Sequence, residues 1–161
     1  MQFRPATLED ESQVLALNTS SIWATGPMDG ERYRTLFGWS TYFNVAEDNG
    51  KLIGFLLGFE NGSAYDSPNY LWFSKRLNEF MYVDRIVIDE SQRGRGIGQQ
   101  FYTHLVNTAA ARKRYWVAAE INAEPPNPVS MKFHQKNGFQ EVGKQQAGAE
   151  KVLSMQVRPV I

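Results

Sequence analysis

The chain has 161 residues, 42% of them hydrophobic and 13% aromatic, which fits one globular domain spanning 1–161 with a proper core. Its 17 Lys and Arg balance its 17 Asp and Glu, so generic binding to nucleic acid or to an anionic membrane is not expected. Cysteine is absent, which excludes a disulfide framework, a thiol nucleophile and a Cys-type zinc site; no metal is expected. No apolar run approaches ~18 residues and Met1-Gln2-Phe3-Arg4 does not open a secretory leader, so a soluble cytoplasmic protein is the expectation.

In chain order, Phe3-Arg4-Pro5 reads as a short first strand. Thr7 with an acidic residue three positions on resembles a capping box, and a helix is predicted from about Leu8 to Asn18. Ser20 to Pro27 reads as a connector. Asp29 is a plausible N-cap for a second helix, Glu31 to Gly38. Asn49-Gly50 between the apolar runs Phe43–Glu47 and Leu52–Phe59 is a strong hairpin signal. Gly54 and Gly58 weaken the second of these strands unless backbone approaches closely there. Glu60 to Glu79 shows no convincing periodicity yet carries Tyr65, Asp66, Tyr70, Trp72 and Phe73. Such a long loop rich in aromatics lines a pocket, forms a local cap or makes a dimer contact.

The stretch Phe80 to Arg114 organises the rest. An apolar strand, Met81 to Ile88, ends in a polar turn, and Arg93-Gly94-Arg95-Gly96-Ile97-Gly98 then opens a helix in which Ile97, Phe101, Leu105 and Ala109 recur every fourth residue. A glycine-rich turn at a helix start, flanked by arginines, suits a pyrophosphate; otherwise it is a plain tight connection. The spacing is not that of a nucleoside-triphosphate loop, since Gln99 and Gln100 follow where Lys and a hydroxyl are needed, nor that of a dinucleotide fold. Tyr115 to Ile121 is a buried-strand candidate that Ala123-Glu124-Pro125-Pro126 cannot continue. A helix capped by Asn127 runs from Pro128 to about Lys136 and stops at Gly138. Phe139–Val142 and Val152–Arg158 close the chain as a hairpin, with Leu153, Met155 and Val157 facing inward.

Arg-x-x-Gly-x-Gly between a strand and a long helix resembles the acyl-CoA-binding motif of the GNAT superfamily of N-acyltransferases. Asn127-Pro128-Val129-Ser130-Met131-Lys132-Phe133-His134, followed by Asn137-Gly138-Phe139, resembles a second motif of that superfamily. The Pro-Pro-Asn-Pro turn and the Phe-His pair look most like a bacterial branch of it. The resemblance implies an α/β (α+β) domain. Its one mixed, mostly antiparallel twisted sheet would have about six or seven strands and about four helices, and would be splayed between the fourth and fifth strands, so that Ile88 and Ala118 diverge. It further implies acetyl-CoA as cosubstrate. Backbone at Ile86, Val87 and Ile88 would pair with the pantetheine arm, Arg93 to Gly98 would hold the diphosphate, and Asn127, Ser130 and Phe133 would border the distal arm. Asn127 serves equally well as a helix cap.

Transfer of an acetyl group to a primary amine needs a base for an ammonium of pKa ~10.4 and a proton for the departing thiolate. Glu120 is the first candidate base. Asp84 is the second, because a carboxylate in an apolar strand is costly unless it is functional or salt-bridged, and strand parity groups it with Tyr82, Ile86 and Ile88. His134 stands where many relatives carry a tyrosine, either as general acid or as a hydrogen-bonded wall residue. Tyr82, Tyr65, Trp72 and Trp23 are candidates for the acceptor site, with Met28 and Tyr33 beside Trp23. The expected partner is a small-molecule or peptide amine, and a homodimer is possible. The alternative on the same fold is a CoA-binding sensor or interaction module that has lost transfer.

Overall fold

A computed structural model describes residues 1–161. Seven strands form one sheet in the order β1-β2-β3-β4-β5-β7-β6. They are β1 (Gln2–Pro5), β2 (Tyr42–Asp48), β3 (Lys51–Glu60), β4 (Phe80–Ile88), β5 (Trp116–Glu124), β6 (Gln140–Gln146) and β7 (Val152–Pro159). Every neighbouring pair is antiparallel except β4 and β5, which run parallel. The helices are α1 (Glu11–Thr19), α2 (Ile22–Thr25), α3 (Gly30–Trp39), α4 (Pro68–Ser74), α5 (Ile97–Ala111) and α6 (Pro128–Lys136). Short 3-10 turns at Leu8–Asp10 and Glu90–Gln92 precede α1 and α5.

Helices α1, α3 and α4 cover one face of the sheet, contributing Val14, Leu17, Tyr33, Leu36, Tyr70 and Phe73 to its core. Helix α5 covers the other face with Ile97, Phe101, Leu105 and Ala109, all nearly or fully buried. Full burial of each large member of that stripe contributes roughly 1.5–3 kcal/mol, which is what seats α5 against the sheet. The phenyl ring of Phe3 meets Phe101 edge-on at 5.0 Å, tying the first strand to the same layer.

Local signals explain most boundaries. Asp10 Oδ2 accepts the Thr7 N–H at 2.8 Å, so the capping box forms, but on a 3-10 turn that precedes α1. Asp29 Oδ1 accepts the Arg32 N–H at 2.7 Å and starts α3. Asn49 and Gly50, with φ of 52° and 78°, make the left-handed pair that a tight hairpin needs. Two segments differ from expectation. The connector after α1 holds the single turn α2, and the loop Glu60–Glu79 holds α4, giving six helices rather than about four. Ser67 accepts the Asn69 N–H and Pro68 occupies the first helical position, so a capping signal overrode the missing periodicity. β5 also runs on to Glu124, ending where Pro125 removes the next ladder donor.

The central irregularity lies in β4. Leu57 pairs with Arg85 but Gly58 pairs with Val83, leaving Asp84 as an extra residue. This bulge overturns the expected parity. Tyr82 and Val87 face the α1/α3/α4 side, whereas Met81, Val83, Ile86 and Ile88 face α5. Asp84 does stay with Tyr82, and the bulge turns Arg85 to the same side. Opposite it, a Cβ on Gly58 would lie 2.9 Å from the Tyr82 carbonyl oxygen, so the close approach demands glycine. Gly58→Ala is therefore expected to destabilise the fold by about 1–3 kcal/mol. Gly38→Ala, whose added methyl meets nothing within 4 Å on α3, should instead gain up to about 1 kcal/mol. Urea midpoints at unchanged m-value would check both.

Candidate active site

Strands β4 and β5 are joined only at Phe80–Trp116, Met81–Val117 and Tyr82–Ala118, and then part. Ala118 is thus still paired, and the split opens immediately beyond it. On the β4 wall, the Asp89 N–H donates to Ile53 O at 2.8 Å. Antiparallel ladders alternate, so the backbone groups of Ile88 and Ile86 point away from β3 into the split, while those of Val87 point to β3. An extended amide chain can add to that free edge.

At the end of the split, Gly94 and Gly96 adopt φ of 83° and 76°, a left-handed backbone that other residues resist. No carbonyl or side chain of the protein accepts from the N–H groups of Gly94 through Gln99. These donors sit at the positive end of the α5 dipole, with the exposed Arg93 and Arg95 beside them. Arg95 lies 3.7 Å from Asp48 and also reaches Gln92. The donor set fits a diphosphate. Across from it, Phe133 packs on Gly98, where a Cβ would lie 3.0 Å from the ring. Asn127 Oδ1 accepts the Ser130 N–H at 3.2 Å and caps α6.

The half-buried carboxylates Asp84 and Glu120 lie on the α1/α3/α4 face. Tyr82 Oη stands 2.9 and 2.8 Å from the two Glu120 carboxyl oxygens and 3.5 Å from Asp84 Oδ1. Asn69 Nδ2 donates to Glu120 Oε1 at 3.1 Å. Asp84 Oδ1 accepts from Tyr65 Oη at 2.6 Å, and Asp84 Oδ2 from Arg85 Nε at 3.1 Å. Arg85 in turn donates to Asn18 Oδ1 at 3.1 Å and to Gly26 O at 2.9 Å, so the same guanidinium pins the α2 turn. Asp84 has its countercharge; Glu120 has none. Burial and the negative charge of Asp84 push the Glu120 carboxyl up to about 8, against the opposing hydrogen bonds from Tyr82 and Asn69. Burial also raises Asp84, with Arg85 and Tyr65 pulling back. Desolvation first, and then Glu120, hold the Tyr82 hydroxyl well above the usual phenol range.

Of the acceptor-site candidates, Tyr82 and Tyr65 are buried and spend their hydroxyls on the carboxylates. Trp72 is seated on Gly143 of β6 with the Arg76 guanidinium 3.8 Å over its ring. Trp23 alone keeps an open face, 57% exposed on α2, its carbonyl 3.4 Å from Asn122 Nδ2. Tyr33 is core, donating to Thr7 O at 2.8 Å, and Met28 packs against the same core. His134 lies across the sheet from Glu120, among Tyr102, Phe133 and Phe139. Its Nε2 is 2.7 Å from Tyr102 Oη and its Nδ1 is 2.8 Å from Ser130 O. A carbonyl can only accept, so Nδ1 carries the hydrogen and Nε2 accepts from the tyrosine. Desolvation lowers the His134 pKa. Arg85, Asn18, Asn69 and Gln145 complete the site, none of them foreseen. Arg85 beside Asp84 in an apolar strand, and Ser67-Pro68 ahead of Asn69, were the signals available. No group of three or more His, Asp or Glu could hold a metal, and no helix is long and apolar enough to cross a membrane.

Residues 11–139 match the sequence model of the acetyltransferase (GNAT) family, and the chain belongs to that family. N-acetyltransferase from Staphylococcus aureus Mu50 shares the fold with a TM-score of 0.75 and 24% identity, over 99% of this chain and 98% of that one. Ard1 from Thermoplasma volcanium superposes with a TM-score of 0.81 at 16% identity, over 99% and 97%. Chaetomium thermophilum Naa20, solved in complex with a bisubstrate analogue, gives 0.79 at 19% identity, over 99% and 86%. No curated protein matches the chain.

The raised Glu120 pKa makes a stability prediction. The folded state holds this proton from the ordinary value of 4.5 up to about 8, so the group favours folding below that window and opposes it once ionised. Glu120→Gln should match wild type near pH ~4 and exceed it near pH ~9 by on the order of 2 kcal/mol, roughly 5 °C in Tm. Thermal melts across that range would check it, and a constant gap would count against the raised pKa.

Proposed function

We propose that this chain transfers an acetyl group from acetyl-CoA to a primary amine by direct attack in a ternary complex, with Glu120 as general base. One observation carries the reading: the Glu120 carboxyl, held by Tyr82 and Asn69 and without a countercharge, borders the split two residues beyond the last β4–β5 pair. Acetyl-CoA supplies the activated acyl carbon. The N–H groups from Gly94 to Gln99, with Arg93 and Arg95, bind its diphosphate, and Asn127, Ser130 and Phe133 border the distal arm. The free backbone of Ile86 and Ile88 orients the pantetheine amides and offers an N–H toward the thioester oxygen.

A base near pKa 8 suits an ammonium of pKa ~10.4 better than an ordinary carboxylate does, because the smaller gap lowers the cost of the proton transfer. Asp84, ion-paired with Arg85, serves instead to keep the proton affinity of Glu120 high through its negative charge. The proton held on Glu120 has an affinity close to that of a thiol, ~8.5, so the same carboxyl can return it to the departing sulfur. With both ring nitrogens engaged, His134 serves as a wall between α5 and α6. The acceptor approaches past Trp23, whose exposed face suits a cationic or apolar amine, either a small molecule or a peptide N-terminus.

Thiol release from acetyl-CoA over a panel of amines and peptides tests this. Glu120→Gln should lower kcat/KM by about 100-fold while leaving the acetyl-CoA Kd within about twofold. Arg93→Ala and Arg95→Ala should each weaken acetyl-CoA binding about tenfold. Calorimetry that shows tight binding with no turnover on any acceptor would point to a sensor or interaction module instead.

A further inference from the structure

Helix α4 reaches from the centre of the sheet to its edge. Trp72 rests on Gly143 of β6, and Asn69, three residues earlier and so on the same helix face, bridges β5 and β6 across the intervening β7. The Asn69 amide is used at both ends. Its Nδ2 donates to Glu120 Oε1 at 3.1 Å, and its Oδ1 accepts from Gln145 Nε2 at 2.7 Å. Gln145 pairs with Leu153 and Gly143 with Met155, the residue that on its other side pairs with Glu120. Glu120, Gly143 and Gln145 therefore lie on one sheet face beneath α4.

We propose that Asn69 is a positioning residue for Glu120, and that Gln145 sets the direction in which the Asn69 amide points. This rests on Glu120 being the base. A side-chain amide has a donor at one end and an acceptor at the other, and turning it over exchanges them. With the Gln145 N–H on its oxygen, Asn69 must present N–H to Glu120, which favours the carboxylate over the acid. Freed from Gln145, the amide can present its oxygen instead, and a protonated Glu120 becomes the better partner. β6 is an edge strand bonded only to β7, with a register shift between Glu141 and Gly143, so the proton affinity of the base is tied to the least anchored strand of the sheet. An acceptor that displaces Gln145 would thereby change the proton affinity of the base.

The test is an NMR titration of protein carrying 13C at the glutamate side-chain carboxyls, with the Glu120 signal assigned by its loss in Glu120→Gln. Asn69→Leu should raise the Glu120 midpoint by about one pH unit, the loss of one hydrogen bond to a charged group. Gln145→Met should raise it in the same direction by roughly half as much, and this substitution at a half-buried position of an edge strand keeps the question open to measurement if Asn69→Leu does not fold. The acid limb of kcat/KM, which reports ionisation of the base, should move with the midpoint. Unchanged midpoints in both variants would overturn the proposal. A shift in Asn69→Leu alone would overturn the part assigned to Gln145. Should Glu120→Gln keep the wild-type rate, the base assignment fails while the titration still decides the contact. Loss of that rate with unmoved midpoints removes only the positioning role.

Discussion

One extra residue in β4 governs the site. A bulge bends its strand and increases its twist, and β4 leaves β5 just before Asp84, after Tyr82 has made the last pair with Ala118. Three consequences share that cause. The edge of β4 at Ile86 and Ile88 is opened, Asp84 and Arg85 are brought to one face where adjacent strand residues would normally oppose, and Glu120 is left bordering a gap rather than a neighbouring strand. Gly58 makes the bulge possible, because any side chain there would collide with the Tyr82 carbonyl.

The electrostatics follow from an unequal division of charge. Two recessed carboxylates share a tyrosine, but only Asp84 has a guanidinium. A buried charge without a countercharge is costly, and the protein lowers that cost by holding a proton on Glu120 up to about pH 8. The ionised form of Glu120 is therefore the form that strains the fold. Asp84, a salt-bridge partner by contact, raises the proton affinity of Glu120 through its negative charge. Arg85 links Asp84 to the α2 turn by way of Asn18 and Gly26, so the turn and that carboxylate are held by one side chain.

The segment between β3 and β4 supplies more of this site than its composition suggests. Tyr65 supports Asp84 and Asn69 supports Glu120, while Tyr70 and Phe73 hold the segment against the sheet. Its aromatics are local packing with polar tips, not a solvent-facing pocket, and this explains why they could be buried without leaving any side-chain nitrogen or oxygen unpaired.

By itself the sequence determined what short-range chemistry controls. The hairpin at Asn49-Gly50, the cap at Asp29, the fourfold stripe of α5, the glycine turn before it and Asn127 ahead of α6 all depend on neighbours a few residues away, and each forms where its residues say. The acyltransferase family could be read from the same local motifs. Tertiary structure alone decided which long-range partners each polar group met. Nothing within a few residues of Asp84 requires a bulge; that depends on Gly58 in the adjacent strand. Nothing near Glu120 in the chain foretells Tyr82, Asn69 or the field of Asp84, which set its proton affinity from distances of 38 and 51 residues along the chain for the two hydrogen bonds. His134 shows the same limit, since its neighbours in sequence match a motif while Tyr102, 32 residues away, holds its ring. Burial and charge act through space, and a pattern along the chain carries no measure of that distance.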